Sequence, residues 1–206
     1  FLDLFEANAY AEPGKFDVAG HTDSTRQYEI IVANDLLQVP ANLIRFPDQR
    51  ADGALDRLDL YLHWPTLSGY SEKLRAEFNQ LSNSTRLIFL TVEPRSMTYD
   101  ISGRVEPIYS RFFDGPGVEI GNGLVQQALS AEDGFIDEDL YYEAASPYPF
   151  AARCVRDTST TQAPYCLRDI HIGKDLMVTY RFHKQLLANW MELDRTLRER
   201  FKTMLQ

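Results

Sequence analysis

Cys154 and Cys166 are the two cysteines of the chain, and their spacing bears on whether they act as thiolates or form a disulfide. They flank a polar, turn-rich insert at residues 158–164, with apolar runs on both sides, as in a hairpin. Cβ atoms that face each other across neighbouring strands lie about 4.5–5.5 Å apart, within reach of a bridge. We therefore predict a Cys154–Cys166 disulfide rather than two buried free thiols, and with it an oxidising compartment such as a periplasm or the cell exterior.

The histidines have no spacing typical of a metal site. They occur at positions 21, 63, 171 and 183, and none belongs to an H-x-x-x-H or H-E-x-x-H pattern. His171 and His183 lie on adjacent predicted elements, so a site assembled in space together with His63 is the alternative. Because oxidised cysteines cannot serve as metal ligands or nucleophiles, we predict exposed or hydrogen-bonded histidines and no metal.

Carboxylates occur in two arrangements that could carry chemistry. An acidic cluster consists of Glu132, Asp133, Asp137, Glu138 and Asp139. Its spacing departs from the D-x-D-x-D-G calcium loop. This departure favours a solvated loop followed by an edge strand whose charged side chains oppose pairing with another chain. Asp59 and Asp169 could act as a glycosidase pair only if the fold sets the required separation between them.

Motifs for covalent catalysis and for cofactor binding are missing from the sequence. There is no G-x-S-x-G elbow. The glycines at 115, 117, 121 and 123 lack the G-x-G-x-x-G spacing and do not lie between a clear strand and a clear helix. We therefore predict that the protein uses no nucleotide or other cofactor, and no catalytic residue can be named from the sequence.

Composition limits the partners. The chain has 21 basic and 30 acidic residues, a net charge of −9, which opposes attraction to phosphate backbones, so we predict no nucleic acid partner. No run reaches the ~20 apolar residues of a spanning helix. The apolar start at Phe1 leads us to expect a removed signal peptide or anchor, or else an arbitrary start of the numbering. Membrane contact would then occur only through that removed segment.

The 206 residues suit a single domain, residues 26–206, preceded by a polar arm at residues 1–25. Residues 27–33 and 85–94 are apolar runs of strand length, the second typical of a central strand. The alternation in residues 57–64 predicts a half-buried strand. The remaining predictions are an ordered connector at 36–47 without a regular helix or central strand, a helix at 71–81, either a helix or a strand at 103–113, and an edge strand at 137–143.

Residues 149–201 have the clearest pattern, which is three strands followed by a helix. Gly173 and Lys174 form the turn before the last strand, one face of which is apolar at Leu176, Val178, Tyr180 and Phe182. The helix has an apolar stripe at Leu186, Leu187, Trp190, Leu193, Leu197 and Phe201. The fold class predicted is α+β, with a mainly antiparallel sheet in one or two layers and this amphipathic C-terminal helix packed on it.

At VPANLIRFP, LYLHWPTLSGYS and the C-terminal RC…YCLRDI…YRFHKQLLANW, the chain resembles uncharacterised membrane-anchored periplasmic proteins of alpha-proteobacteria. The resemblance spans most of the chain and carries over no functional residue. It implies an anchor upstream of Phe1, in the inner membrane, and a periplasmic location.

These observations favour a non-enzymatic extracytoplasmic module that binds another protein or a component of the cell envelope. The alternative is a hydrolase of envelope polymers that uses carboxylates and a histidine brought together by the fold. A pocket holding several titratable groups would favour the hydrolase, whereas a broad contact face without such a pocket would favour the binding module.

Overall fold

The computed structural model describes residues 20–80, 85–143, 150–159 and 163–206; residues 1–19 of the predicted arm lie outside these ranges. The strands are β1 Gln27–Val32, β2 Asp35–Pro40, β3 Gly53–Ala54, β4 Leu58–His63, β5 Leu87–Pro94, β6 Val118–Glu119, β7 Leu124–Ala128, β8 Glu138–Glu143, β9 Ala151–Val155, β10 Tyr165–Ile172 and β11 Leu176–His183. The α-helices are α1 Arg75–Asn79 and α2 Trp190–Met204. The predicted α+β class is confirmed.

The large sheet has eight strands in the order β4-β5-β11-β10-β9-β8-β7-β6, and every neighbouring pair is antiparallel. Consecutive strands are neighbours except at one place, where the C-terminal strand β11 lies between β5 and β10. The predicted central strand at 85–94 is therefore confirmed, because β5 has β4 on one side and β11 on the other.

The small sheet has the order β2-β1-β3, with β1 antiparallel to β2 and parallel to β3. Its edge strand β2 occupies the first part of the segment predicted as an ordered connector from residue 36. Pro40 is compatible with this strand because it is the last residue and β2 lies at the sheet edge, where a missing N–H is tolerated. After β2 the chain follows the outer edge of β4, where the Arg45 N–H donates to the Asp59 carbonyl.

One face of the large sheet, here called the inner face, packs against α2 and the small sheet. The apolar side chains predicted on β11 and on the C-terminal helix are all buried there. The helix differs from the prediction in its first turns, since Lys184–Asn189 is a 3-10 helix and α2 begins at Trp190. Leu205, just after α2, forms a β-bridge with Leu37 of β2, which ties the helix end to the small sheet.

The predicted turn at Gly173 and Lys174 is confirmed, and a side chain of the small sheet stabilises it. The Asp35 carboxylate accepts hydrogen bonds from the N–H groups of Lys174 and Asp175. Gly173 has φ of 55°, and a Cβ there would lie 2.5 Å from an Asp35 carboxylate oxygen. Glycine is therefore required both by the backbone conformation and by the approach of the small sheet.

Several predicted elements were wrong in extent or burial. All six residues of β4 are buried, not half of them, because other segments cover both of its faces. The strand at 137–143 is not an edge strand, since β8 pairs with β7 and β9; the strand β7 was missed. The helix predicted at 71–81 is, within the described residues up to 80, a 3-10 turn followed by the five-residue α1, and residue 81 lies outside those residues. Residues 103–113 contain neither a long helix nor a strand but 3-10 turns, one at Ser102–Arg104 and one at Tyr109–Phe112.

The large sheet narrows between β9 and β10. Within the described ranges these strands share only two register pairs, Cys154 with Cys166 and Arg153 with Leu167, whereas β10 and β11 share eight. The predicted disulfide joins Cys154 to Cys166 at this narrow place, with their Cα atoms 4.0 Å apart. The sheet thus consists of two halves, β4-β5-β11-β10 and β9-β8-β7-β6, connected by a short ladder and a covalent bond.

A buried arginine fills the gap where β9 and β10 separate. Arg168 is 1% exposed, and its Nη1 donates to Ser102 Oγ at 2.7 Å and to the Ala151 carbonyl at 2.9 Å. Its Nε donates to Asp194 Oδ1 of α2 at 2.8 Å. Arg168 therefore connects both halves of the sheet to the C-terminal helix. None of the helices within the described ranges is long and apolar enough to cross a membrane.

Candidate binding face

The face of the large sheet opposite α2 is only partly covered. Strand register places a row of side chains across it, namely Tyr61, Phe89, Arg181, Leu167 and Arg153. The β4 end of the face is covered by Tyr70 and Phe78, which pack on Tyr61. The β9 end is covered by the segment that contains Ile101 and Tyr109.

Between these two covered ends the sheet is half-exposed. We call this stretch the open face and define it by Phe89, Thr91, Tyr165, Leu167, Thr179 and Arg181. It combines aromatic, aliphatic and β-branched side chains with a cation, and it lies on rigid central strands. Aromatic and arginine side chains of this kind are enriched at surfaces that contact other proteins.

Arg45 and Arg181 approach the same aromatic ring. The guanidinium carbons of Arg45 and Arg181 lie 4.9 Å and 5.0 Å from the centre of the Phe89 ring. Arg45 also lies 4.9 Å from the Phe46 ring, and Arg181 5.0 Å from the Tyr165 ring. These distances are within the range of cation–π attraction, which holds both guanidinium groups at the edge of the open face.

The described residues give the guanidinium of Arg45 ring contacts but no hydrogen bond and no ion pair. Burial lowers the pKa of Arg45, and the positive charge of Arg181 lowers it further. The negative charge of Asp59 raises the pKa of Arg45, but Asp59 forms its ion pair with Arg57. An anion placed beside Arg45 would therefore meet a cation that is partly desolvated and repelled by its neighbour.

A small polar cavity of about 170 Å³ lies at the β9 end of the open face. Its lining includes Arg104, Arg153, Asp169 and Thr179. Arg104 forms an ion pair with Asp169, and the Arg153 Nε donates to Glu138 Oε2 at 2.8 Å. The arginines of this cavity are thus already neutralised by carboxylates of the protein, unlike Arg45.

The histidines considered from the sequence are not brought together. His21 contacts the Tyr61 hydroxyl, His63 pairs with Glu77, and the His183 side chain accepts the Gln185 N–H. Nε2 of His171 is buried and has no hydrogen-bond partner among the described residues. The described part of the chain contains no group of three or more His, Cys, Asp or Glu side chains that could hold a metal ion.

The acidic cluster at 132–139 divides between a turn and a strand. Glu132 and Asp133 are exposed in a 3-10 turn that ends at Gly134. On β8, Glu138 pairs with Arg153, and Asp139 accepts from Arg156 Nε at 2.6 Å. These β8 carboxylates neutralise Arg153 of β9 and Arg156, which follows β9, instead of converging on one point as calcium ligands would.

Asp59 and Asp169 lie too far apart for glycosidase chemistry. They belong to one row across the sheet, with Thr91 and Thr179 between them. Three strand spacings put them about 14 Å apart. Paired carboxylates of glycosidases are separated by about 5–9.5 Å, so these two cannot act on the same bond.

Asp169 and His171 are neighbours on the same face of β10 and have opposite pKa shifts. Burial raises the pKa of Asp169 despite the opposing charge of Arg104. Burial and then the charge of Arg95 lower the pKa of His171. Both Asp169 oxygens are occupied, one by Arg104 and the other by the Ile101 N–H. This arrangement pins the 101–104 turn to the sheet.

The arginines of the open face were not found from the sequence. Alternation in β11 places Thr179 and Arg181 opposite the apolar side chains, which signals a polar outer face but not a site. Arg45 comes from the irregular segment after β2, and its contact with Phe89 depends on tertiary structure alone.

Comparison with known proteins identifies the fold. No protein-family model matches the chain, and no curated protein matches its sequence. An immunity protein of the Stenotrophomonas maltophilia type IV secretion system superimposes with a TM-score of 0.61 at 12% identity, covering 92% of this chain and 97% of that one. An iron-regulated outer membrane lipoprotein of Neisseria meningitidis superimposes with a TM-score of 0.51 at 12% identity, covering 88% and 94%. At this identity the similarity establishes a shared fold and no shared residue roles.

Proposed function

We propose that the protein is an extracytoplasmic binding module whose partner is another protein, and that the open face is the contact surface. The observation that carries this proposal is the pair of arginines held against Phe89 on a partly exposed stretch of the central sheet. Aromatic and arginine side chains contribute most to binding at protein interfaces when they are held in place before the partner arrives.

The disulfide and the similar structures support the extracytoplasmic location. A disulfide persists in oxidising compartments, and this one joins the two halves of the large sheet. The two similar structures are an immunity protein of a secretion system and an outer membrane lipoprotein. The architecture therefore occurs in proteins connected with secretion and with the bacterial envelope, where we place this chain.

Site-specific crosslinking in the native host tests this proposal. A photo-crosslinking amino acid would replace Thr179 on the open face, and a matched control would replace Arg195, a side chain 61% exposed on α2. We expect one discrete protein adduct from position 179 and none from position 195. Equal adducts from both positions, or none from position 179, would contradict the open face as the contact surface.

A hydrolase is the second candidate, and Asp169 with His171 is the observation that favours it. A carboxyl with a raised pKa beside a histidine with a lowered pKa is a pattern found in active sites. The occupied Asp169 oxygens make this candidate the weaker of the two. Release of soluble fragments from purified peptidoglycan by the protein, abolished in Asp169→Asn, would support the hydrolase over the binding module.

A further inference from the structure

The charges of the open face indicate what kind of segment could bind there. The whole chain carries a net charge of −9 and repels an acidic partner at long range. Several carboxylates lie on or beside this side of the sheet, among them Glu93 of β5, and three of them are held by arginines: Asp59 by Arg57, Asp169 by Arg104 and Glu138 by Arg153. None of these three carboxylates forms an ion pair with Arg45.

The ring contacts of Arg45 fix how its guanidinium could bind a ligand. The guanidinium carbon of Arg45 lies over the Phe46 and Phe89 rings, and the described residues form no hydrogen bond with its N–H groups, so these donors are available to an oxygen ligand. A carboxylate matches these donors in a two-bond geometry and would offset the charge of the neighbouring Arg181. The rings restrict the side chain before binding, which lowers the entropy lost when a ligand binds.

The remainder of the open face favours a polypeptide over other anions. Phe89 and Leu167 offer apolar area, and Thr91 and Thr179 belong to the next row of side chains along the same face. Nucleic acid and anionic membranes present many phosphates over a wide area, which the acidic remainder of the molecule would repel. A short acidic segment with apolar side chains needs only the local positive site and the neighbouring apolar surface.

We propose that the open face binds an acidic, partly apolar segment of a protein partner, with a carboxylate of that segment held between Arg45 and Arg181 and an apolar side chain placed on Phe89. This inference rests on the proposed function and specifies the chemistry of its partner.

Fluorescence anisotropy with defined peptides tests the inference. The probe is a labelled 12-residue peptide of alternating glutamate and valine, and the matched peptide has glutamine in place of glutamate. We expect saturable binding of the glutamate peptide, at least about tenfold weaker binding of the glutamine peptide, and weakening by added salt. Equal affinity for the two peptides, or no binding, would overturn the inference.

Matched variants assign the binding to the arginines. Arg45→Gln and Arg181→Gln should each weaken the glutamate peptide about tenfold, the size of one lost charge-assisted contact. Arg195→Gln removes an exposed arginine on α2 and should leave affinity unchanged. Arg45→Lys keeps the charge but loses the planar guanidinium beside the rings. Its affinity for the glutamate peptide should therefore lie between that of the parent and that of Arg45→Gln. A melting temperature for each variant separates loss of binding from loss of folding.

Two further probes distinguish other anions. Polyphosphate and vesicles of phosphatidylglycerol should bind more weakly than the glutamate peptide, and stronger binding of either would overturn the choice of a protein segment. If crosslinks from position 179 persist while Arg45→Gln leaves peptide binding unchanged, the acidic-segment inference fails and the binding module stands. If both results are negative, both proposals fail.

Discussion

Cys154 lies directly opposite Cys166 in one of the two register pairs that connect β9 to β10 within the described residues. The disulfide therefore does more than close the 12-residue separation between the cysteines. It fastens the half-sheet β9-β8-β7-β6 to the half that carries the open face and most of the large core. Beside the two register pairs, Arg168 adds a further connection at this place through Ser102 and Ala151.

Removing the disulfide by Cys154→Ala with Cys166→Ala should lower the free energy of unfolding by about 3 kcal/mol, the loop-closure value for this separation. Because the ladder beside it is short, the loss should be uneven across the sheet. We expect amide hydrogen exchange to accelerate more in β7 and β8 than in β5 and β11. Uniform acceleration across the sheet would show that the two halves are not separate cooperative units.

Arg168 offers a comparison between a buried and an exposed partner of one carboxylate. Asp194 accepts from the buried Arg168 and from Arg198, whose side chain is 37% exposed. Burial favours the protonated form of Asp194, but the two arginines outweigh burial and lower its pKa. Arg168→Met should destabilise the protein by about 3–5 kcal/mol, whereas Arg198→Met should cost about 1 kcal/mol or less. Denaturant unfolding measures both, and equal losses would contradict the role given to Arg168.

Trp190 joins the start of α2 to the loop before β7. Its ring lies 4.8 Å from Phe150, and its Nε1 donates to the Asn122 carbonyl at 3.0 Å. Trp190→Ala should lower the free energy of unfolding by about 3–5 kcal/mol, because it removes a buried ring and leaves a cavity. The neighbouring Met191 is 63% exposed, so Met191→Ala should change stability by less than about 0.5 kcal/mol. A melting temperature of Trp190→Ala within a degree or two of the parent would contradict the packing described.

Stability should fall when the pH decreases from about 7.5 to about 6, because of His171 and His183. Burial lowers the pKa of both below the ordinary value of 6.5. The folded state thus prefers neutral histidine, and this stabilisation is present above pH 6.5 and lost as pH falls through the folded pKa values. Asp169 and Glu138, whose pKa values burial raises, act in the opposite direction at lower pH, towards their ordinary values of 3.8 and 4.5.

The contribution of His171 can be isolated with His171→Gln. This variant should lose less stability than the parent over the same pH interval, because one of the two histidines that titrate has been removed. Melting temperatures at closely spaced pH values provide the measurement. Parallel curves for parent and variant would show that His171 does not contribute to the pH dependence.

Local patterns predicted the elements in which one face meets the core. Two such patterns each lie within one short stretch of sequence: the alternation of Leu176, Val178, Tyr180 and Phe182, and the apolar stripe around Trp190. The structure confirms both. The sequence could not predict that β8 has partners on both sides, because this depends on β7, whose sequence LVQQA has a weak strand pattern. Hydrophobic periodicity describes burial along one element and does not specify its neighbours.

The candidate site depends still more on long-range structure. Arg45, Phe89 and Arg181 come from an irregular segment and two strands. The pairing of β5 with β11 places Phe89 beside Arg181, and Arg45 reaches the same ring from the segment that follows the edge of β4. The disulfide was predictable because Cys154 and Cys166 flank a single loop. The arginine pair was not, since no spacing in the sequence relates its members.

The position of β11 between β5 and β10 also has a consequence for synthesis of the protein. The partner strand of β5 is translated about 80 residues after β5 itself, so a growing chain presents β5 with one edge unpaired and its apolar side chains uncovered. Antiparallel pairing over so long a separation is slow to form, and unpaired strand edges promote aggregation. The nascent chain would thus depend on a holding chaperone until β11 and α2 are complete, and a protein stopped before residue 176 should accumulate in inclusion bodies rather than as a smaller folded domain.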